Sequence, residues 1–231
     1  MNLKDTSILV IFSIFLGVVM FGQRATDSPL DEGISKTDSS TRDTATSVRG
    51  KIALFIGDSH SANHQFGWQK QLCDSTGLIM RNVSAGGKTT DWMLNEAVYG
   101  VNDNIDFLFL YGGANDMHSG AMSPNDCLVN LQKIVNVAHS RGIKVIVITG
   151  FDPQKVVTAN KSSYKNRYAH LQFLMLQKLQ NCTVVDCRKI IQREDCSDPL
   201  CHMKKTGHRK IANQIIQDLH LLTISTTSTQ R

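Results

Sequence analysis

Three runs of almost unbroken apolar residues constrain this chain more than anything else in it: 51–56 (KIALFI), 105–111 (IDFLFLY) and 143–149 (IKVIVIT). A strand with one wet face alternates polar and apolar side chains. A strand without that alternation is buried on both faces, the condition met in a parallel sheet covered by helices on each side. Weaker strand patterns at 78–83 and 182–186 complete an expected set of five. Stretches with helical spacing lie between and after them, at about 63–75, 90–99, 124–140, 163–180 and 204–222. Ser123 before Pro124 is a helix start, and Arg141-Gly142 a helix stop. Strand and helix alternating in this way define the α/β class, with a three-layer α/β/α sandwich around a five-stranded parallel sheet over 51–222.

At 231 residues and 41% hydrophobic content, the chain holds one medium domain plus appendages. Residues 8–21 (ILVIFSIFLGVVMF) are uncharged and follow a start containing Lys4 and Asp5. Their length is that of a signal-peptide apolar region and falls short of the about 20 residues that span a bilayer. No small-x-small cleavage site follows, and the segment has no cysteine for lipid attachment. Residues 1–24 are therefore expected as a signal peptide or an N-terminal membrane anchor, so that the domain is exported and is periplasmic, secreted or membrane-anchored facing outside the cytoplasm. Residues 25–50, rich in Ser, Thr, Asp and Arg, read as a disordered polar linker, and 223–231 as a polar tail. The 25 Lys and Arg are scattered and leave a net charge of only +5. The one local cluster, Lys204, Lys205, Arg209 and Lys210, reads as a solvated helix face, so a nucleic-acid partner is not expected.

Six cysteines, at 73, 127, 182, 187, 196 and 201, suit an oxidising compartment. The last four crowd around the segment before His202 and point to bridging there, but six cysteines allow about 15 pairings and spacing selects none. The absence of paired C-x-x-C units argues against zinc. His60 and His64, one helical turn apart with no third ligand nearby, read as ordinary residues, as does His118. The glycosylation-type triplets at Asn82, Asn160 and Asn181 read as chance matches.

In open α/β sheets ligands bind beyond the carboxyl ends of the strands. Four short segments fall there or on later loops: Gly57-Asp58-Ser59-His60, Ala85-Gly86-Gly87-Lys88-Thr89, Gly113-Ala114-Asn115-Asp116 and Asp198-Pro199-Leu200-Cys201-His202. Ser59, just past the first strand and before a helix, is a candidate nucleophile whose backbone N–H favours developing negative charge. A serine hydroxyl attacks only when a positioned base takes its proton, and His202 is the candidate base. Asp198 is the candidate acid that holds the imidazole tautomer. Gly87, without a Cβ, can bring its N–H close to substrate, and the Asn115 amide can donate to the same point. With the Ser59 N–H they make three donors for a tetrahedral oxyanion.

These residues resemble the SGNH hydrolase superfamily, the GDSL esterases and lipases, over nearly all of 51–222. The family's blocks correspond to Gly57-Asp58-Ser59, Gly87 before Lys88-Thr89, Gly113-Ala114-Asn115-Asp116, and the final acid and histidine before Gly207-His208-Arg209-Lys210-Ile211-Ala212. The resemblance implies a flavodoxin-like α/β/α domain performing metal-independent, cofactor-free acyl-ester hydrolysis through a Ser-His-Asp triad.

Two departures stand out. The family usually spaces its last pair as Asp-x-x-His, whereas three residues separate Asp198 from His202 and the usual acid position falls on Pro199. A bulged loop held by Cys196 and Cys201 would let Asp198 reach the ring; otherwise a backbone carbonyl would take that role. The second departure is Ser59-His60 in place of the common Ser-Leu. It is shared with SGNH domains associated with acyl transfer to and from surface polysaccharides, which directs the substrate expectation to carbohydrate O-acetyl esters. Lipid or thioester hydrolysis, and a catalytically silent binding module on the same fold, are the alternatives.

Overall fold

The computed structural model describes residues 45–62 and 65–223. The expected signal or anchor segment, most of the expected linker, His64 and the tail from 224 lie outside those residues. No helix among the described residues is long and apolar enough to cross a membrane.

Five strands form one parallel sheet in the order β2-β1-β3-β4-β5: β1 (Ile52–Gly57), β2 (Ile79–Asn82), β3 (Phe107–Tyr111), β4 (Lys144–Thr149) and β5 (Thr183–Asp186). The three apolar runs supply β1, β3 and β4, the inner strands. The consecutive residues Phe55 and Ile56, Leu108 to Leu110 and Ile146 to Ile148 are all buried, so both faces of each inner strand are covered. Helix α1 (Trp68–Thr76) packs beside α7 (Lys205–Asp218), while α2 (Thr90–Gly100), α4 (Pro124–His139) and α6 (Ser162–Lys178) pack in a row. Right-handed crossovers running in opposite directions from β1 and from β2 put these two groups on opposite faces of the sheet.

Local chemistry explains the boundaries. The Ser123 hydroxyl accepts the Asp126 N–H and caps α4, with Pro124 in its first turn. Helix α7 buries Gly207, His208, Ile211, Ala212 and Ile215, a stripe at helical spacing. Helix α1 begins at Trp68, after Gly67, rather than at 63. Two short helices are additional to the sequence reading: α3 (Ala114–Ser119) and α5 (Pro153–Val156).

Residues 45–50 are part of the domain rather than the end of a free linker. Thr46 bridges Leu221 in parallel, exchanging backbone hydrogen bonds with His220 and Leu222, Gly50 donates its N–H to the Gly77 carbonyl oxygen, and Val48 is buried, which ties this polar stretch to the domain.

The chain runs from β1 outward to β2 and then crosses back to β3 on the other side of β1. The order therefore reverses between β1 and β3, where a crevice opens beyond the strand ends. The last pair in that register is Gly57 with Tyr111. A Cβ on Gly57 would lie 2.6 Å from the Tyr111 carbonyl oxygen, so only glycine allows the two strand ends to approach this closely.

Candidate active site

Ser59 and Asn115 leave the sheet from adjacent strands. Ser59 is half-buried in the turn after β1, and Asn115 lies in the first turn of α3, which follows β3 through Gly112-Gly113. Gly113 has φ +98°, and its ideal Cβ would lie 2.5 Å from Leu171, so both backbone and packing require glycine there. The turn after β2 completes this side. Gly86 passes with its Cβ direction 3.9 Å from the Ser59 Cβ, and Gly87, at φ +73°, has nothing within 4 Å of the corresponding point. Gly87 thus faces open space beside Ser59.

Asp116 binds two of these segments together. Its buried carboxylate accepts the Thr90 N–H at 3.1 Å and the Thr90 hydroxyl at 2.7 Å, capping α2 just beyond the Gly87 turn. Burial raises its pKa, and the Thr90 hydrogen bonds oppose that rise. The Asn115 Nδ2 donates to the Lys88 carbonyl oxygen at 3.0 Å. A primary amide carries two N–H groups, so this bond orients Asn115 without exhausting it.

His202 comes from the opposite side, on the loop before α7. Its Nε2 is 3.1 Å from the Ser59 Oγ, and its Nδ1 is hydrogen-bonded to Asp198 Oδ2. Asp198 Oδ1 accepts the Leu200 N–H at 2.9 Å and the His202 N–H at 3.2 Å. Partial burial works against ionisation of this carboxyl, but the hydrogen bonds from the His202 ring and backbone hold it below the usual range.

The three-residue spacing is accommodated by a closed loop. Cys196 and Cys201 form a disulfide, Cys196 bridges Met203, and Ser197 donates its N–H to the His202 carbonyl oxygen at 2.7 Å. Cys201 at φ +70° turns the chain sharply, bringing Asp198 back under the ring. The other four cysteines are unpaired, and burial pushes the thiols of Cys73 up to about 12 and Cys182 up to about 11.

Behind Ser59, Asp58 is fully buried. Its Oδ1 accepts the His60 N–H at 2.9 Å and its Oδ2 has no partner, and desolvation raises its pKa to about 7. His60, almost fully buried, has its pKa lowered to about 3, by desolvation first and then by the nearby charges of His202 and His208.

These groups surround one cavity of about 280 Å³. Its wall also contains His118, Tyr164 and Leu200, which the sequence reading did not assign to the site. His118 lies one helical turn after Asn115, and its ring meets the edge of Tyr164 at 5.5 Å. The i to i+3 spacing on α3 was the available signal for His118; nothing local marked Tyr164 or Leu200. Of the glycosylation-type sites, Asn82 is occupied internally, donating to the Ser61 carbonyl and accepting the Ser84 N–H.

A hydroxyl, an imidazole and a carboxylate in hydrogen-bonded series, beside a cavity also lined by Gly87 and Asn115, have the chemistry of an acyl-transferring hydrolase. Comparison with known proteins agrees with that class. Residues 55–210 match the model of the GDSL-like Lipase/Acylhydrolase family. The chain belongs to this family and is a carboxylic ester hydrolase.

No curated protein matches the chain. Among solved structures, a member of the lipolytic protein G-D-S-L family from Veillonella parvula superposes with a TM-score of 0.61 at 14% identity, covering 72% of this chain and 97% of its own. Axe2, an acetylxylan esterase from Geobacillus stearothermophilus, gives 0.59 at 16% identity, covering 74% and 94%. LAE5, a hydrolase from the metagenome of Lake Arreo in Spain, gives 0.61 at 16% identity, covering 75% and 97%. At these identities the likeness is one of fold.

Proposed function

We propose that the protein is a serine esterase of short acyl esters, with O-acetyl groups on carbohydrate as its substrate class. The observation that carries this reading is the unbroken series Ser59 Oγ, His202 Nε2, His202 Nδ1 and Asp198 Oδ2 at the mouth of the crevice. In the first half-reaction His202 takes the Ser59 proton as Oγ attacks the ester carbonyl. Asp198 holds the tautomer that leaves Nε2 free to accept, and stabilises the imidazolium that forms. The oxyanion is held by the Ser59 and Gly87 N–H groups and the Asn115 amide. His202 then protonates the departing alcohol, and in the second half-reaction it activates water to release the acid from Ser59. Residues of this chain carry every step, and no cofactor is needed.

A cavity of about 280 Å³ must take both the acyl group and part of the alcohol, which favours small acyl chains. The acetylxylan esterase Axe2, similar in fold, supports the choice of acetyl and of a sugar alcohol. A disulfide beside the site fits an oxidising compartment and supports export. Membrane attachment through 8–21 belongs to the same proposal.

The test is hydrolysis of p-nitrophenyl acetate, p-nitrophenyl octanoate and acetylated xylo-oligosaccharide by residues 25–231, beside a Ser59→Ala control. Acetate release that disappears in the control, with octanoate the poorer substrate, is the expected result. A preference for octanoate would turn the reading to a lipid or thioester hydrolase. Folded protein with no Ser59-dependent turnover, and no labelling by a fluorophosphonate, would turn it to a binding module.

A further inference from the structure

His202 is held by its two ring nitrogens, Nδ1 to Asp198 and Nε2 to Ser59. Two contacts at opposite ends of a ring fix a line, and the ring remains able to rock about it. Half of the side chain's surface is exposed, so the loop alone does not stop that motion. The ring that does meet its face is His60, with centroids 5.5 Å apart and planes 21° from parallel.

His60 is itself tightly constrained. It stacks on Tyr111 at 5.3 Å and 12°, and it meets the edge of Phe151 at 5.5 Å. Tyr111 is fully buried as the last residue of β3, the central strand, and is paired there with Gly57. A column of near-parallel rings therefore runs from the middle of the sheet through His60 to His202, which otherwise stands on a loop.

We infer that His60 is a positioning residue for His202, passing the rigidity of the sheet to the ring of the proposed base through the stack. This rests on the reading of His202 as that base. A site whose groups are locked by packing keeps its geometry, and misplacement by about 1 Å costs up to roughly a hundredfold in rate. A leucine at this position would offer no flat face. The histidine also carries a cost in stability, because its Nδ1 is buried without a hydrogen-bond partner. Its neutrality matters too. With a pKa near 3 it stays uncharged near neutral pH, and it presents a π face rather than a second positive charge to the imidazolium that forms.

The experiment compares His60→Leu and His60→Phe with the unaltered protein by steady-state hydrolysis of p-nitrophenyl acetate and by NMR of the His202 ring Cε1–H group. Leucine is expected to lower kcat by roughly tenfold or more with KM within about twofold, and phenylalanine to restore kcat to within about threefold. The His202 ring signal should show increased fast motion in the leucine variant and not in the phenylalanine variant. Equal kcat and equal ring order in the two variants would overturn the inference. So would a raised KM with unchanged kcat, which would make His60 a substrate contact. Should His60→Leu fail to fold, His60→Met replaces it. If the unaltered protein shows no Ser59-dependent hydrolysis, the esterase reading fails, while the ring-order comparison still decides the stack.

Discussion

The Nε2 of His202 stands 3.1 Å from the Oγ of Ser59, although 143 residues of chain separate them. Two unconnected devices set this distance. On the Ser59 side, a glycine at the end of β1 lets two strand ends close together and leaves the hydroxyl over the crevice. On the His202 side, a disulfide-closed loop carries both the imidazole and the carboxylate that orients it. Neither device is near the other in sequence, and each can be altered separately.

Asp198 is the first place to do so. Replacing it with asparagine keeps the side-chain size, but with the amide oxygen taking the Leu200 and His202 N–H groups it turns an NH2 donor toward His202 Nδ1 and so selects the wrong tautomer. The expected result is a fall in kcat of roughly 10³- to 10⁴-fold with little change in KM, measured on p-nitrophenyl acetate. A loss below about tenfold would mean that another group orients the ring.

Asn115 tests the oxyanion donors. Asn115→Ala removes the proposed third donor together with the bond to the Lys88 carbonyl. We expect kcat to drop by about 10²- to 10³-fold, with the melting temperature changing by only a few degrees. Covalent labelling of Ser59 by a fluorophosphonate should slow in parallel, because that reaction also places negative charge on an oxygen at this point.

The Cys196–Cys201 disulfide separates stability from activity. Its loop is short, so chain entropy gives it about 2 kcal/mol, or roughly 4–8 °C in melting temperature for a domain of this size. Its effect on rate should be larger, since Asp198 lies inside the closed loop and His202 directly follows it. Cys196→Ser with Cys201→Ser, assayed well below the melting temperature, is expected to lose at least about tenfold in kcat. Unchanged kcat would leave the disulfide with stability alone.

Stability should depend on pH through buried groups of opposite sign. Burial lowers the pKa of His208 from 6.5 to about 4. Below pH 6.5 the unfolded chain therefore binds a proton that the folded chain refuses, and this contribution is lost as pH falls toward 4. Asp58 acts the other way, because its pKa is raised from 3.8 to about 7. Between those values the folded chain keeps a proton that the unfolded chain has released, so this contribution is lost as pH rises toward 7. Denaturant unfolding between pH 4.5 and 6 should show His208→Gln losing less stability on acidification than the unaltered protein, and Asp58→Asn losing more. Each slope should change by about 1.4 kcal/mol per pH unit.

The sheet was legible because its signal is local. Inner strands need continuous apolar residues, and KIALFI, IDFLFLY and IKVIVIT became β1, β3 and β4 with ends displaced by one or two residues. Ser59, Gly87, Asn115 and His202 were legible because each sits in a short motif at a strand end or helix start. Helix α3 was not, since its six residues follow two glycines and bury only Ala114, Asp116 and Met117, too few for a period to emerge. The spacing of Asp198 left two ways to orient His202, because nothing in a linear sequence reports the left-handed turn at Cys201. His60 was read as an ordinary residue, and its stacking partners Tyr111 and His202 are brought to it only by the fold.

The adjacency of β1 and β3 has a practical side. Ser59 and Asn115 issue from hydrogen-bonded neighbours, so their separation is tied to the interstrand spacing of about 4.8 Å. That spacing is common to sheets and indifferent to decoration at the far end of the molecule. Exposed turns at the amino-terminal edge, such as 102–104 before β3 and 140–142 before β4, are therefore the natural points for grafting a carbohydrate-binding module or an immobilisation tag. At the crevice edge, a library for new substrates should vary His118, Tyr164 and Leu200 while leaving Gly57 and Gly113 untouched.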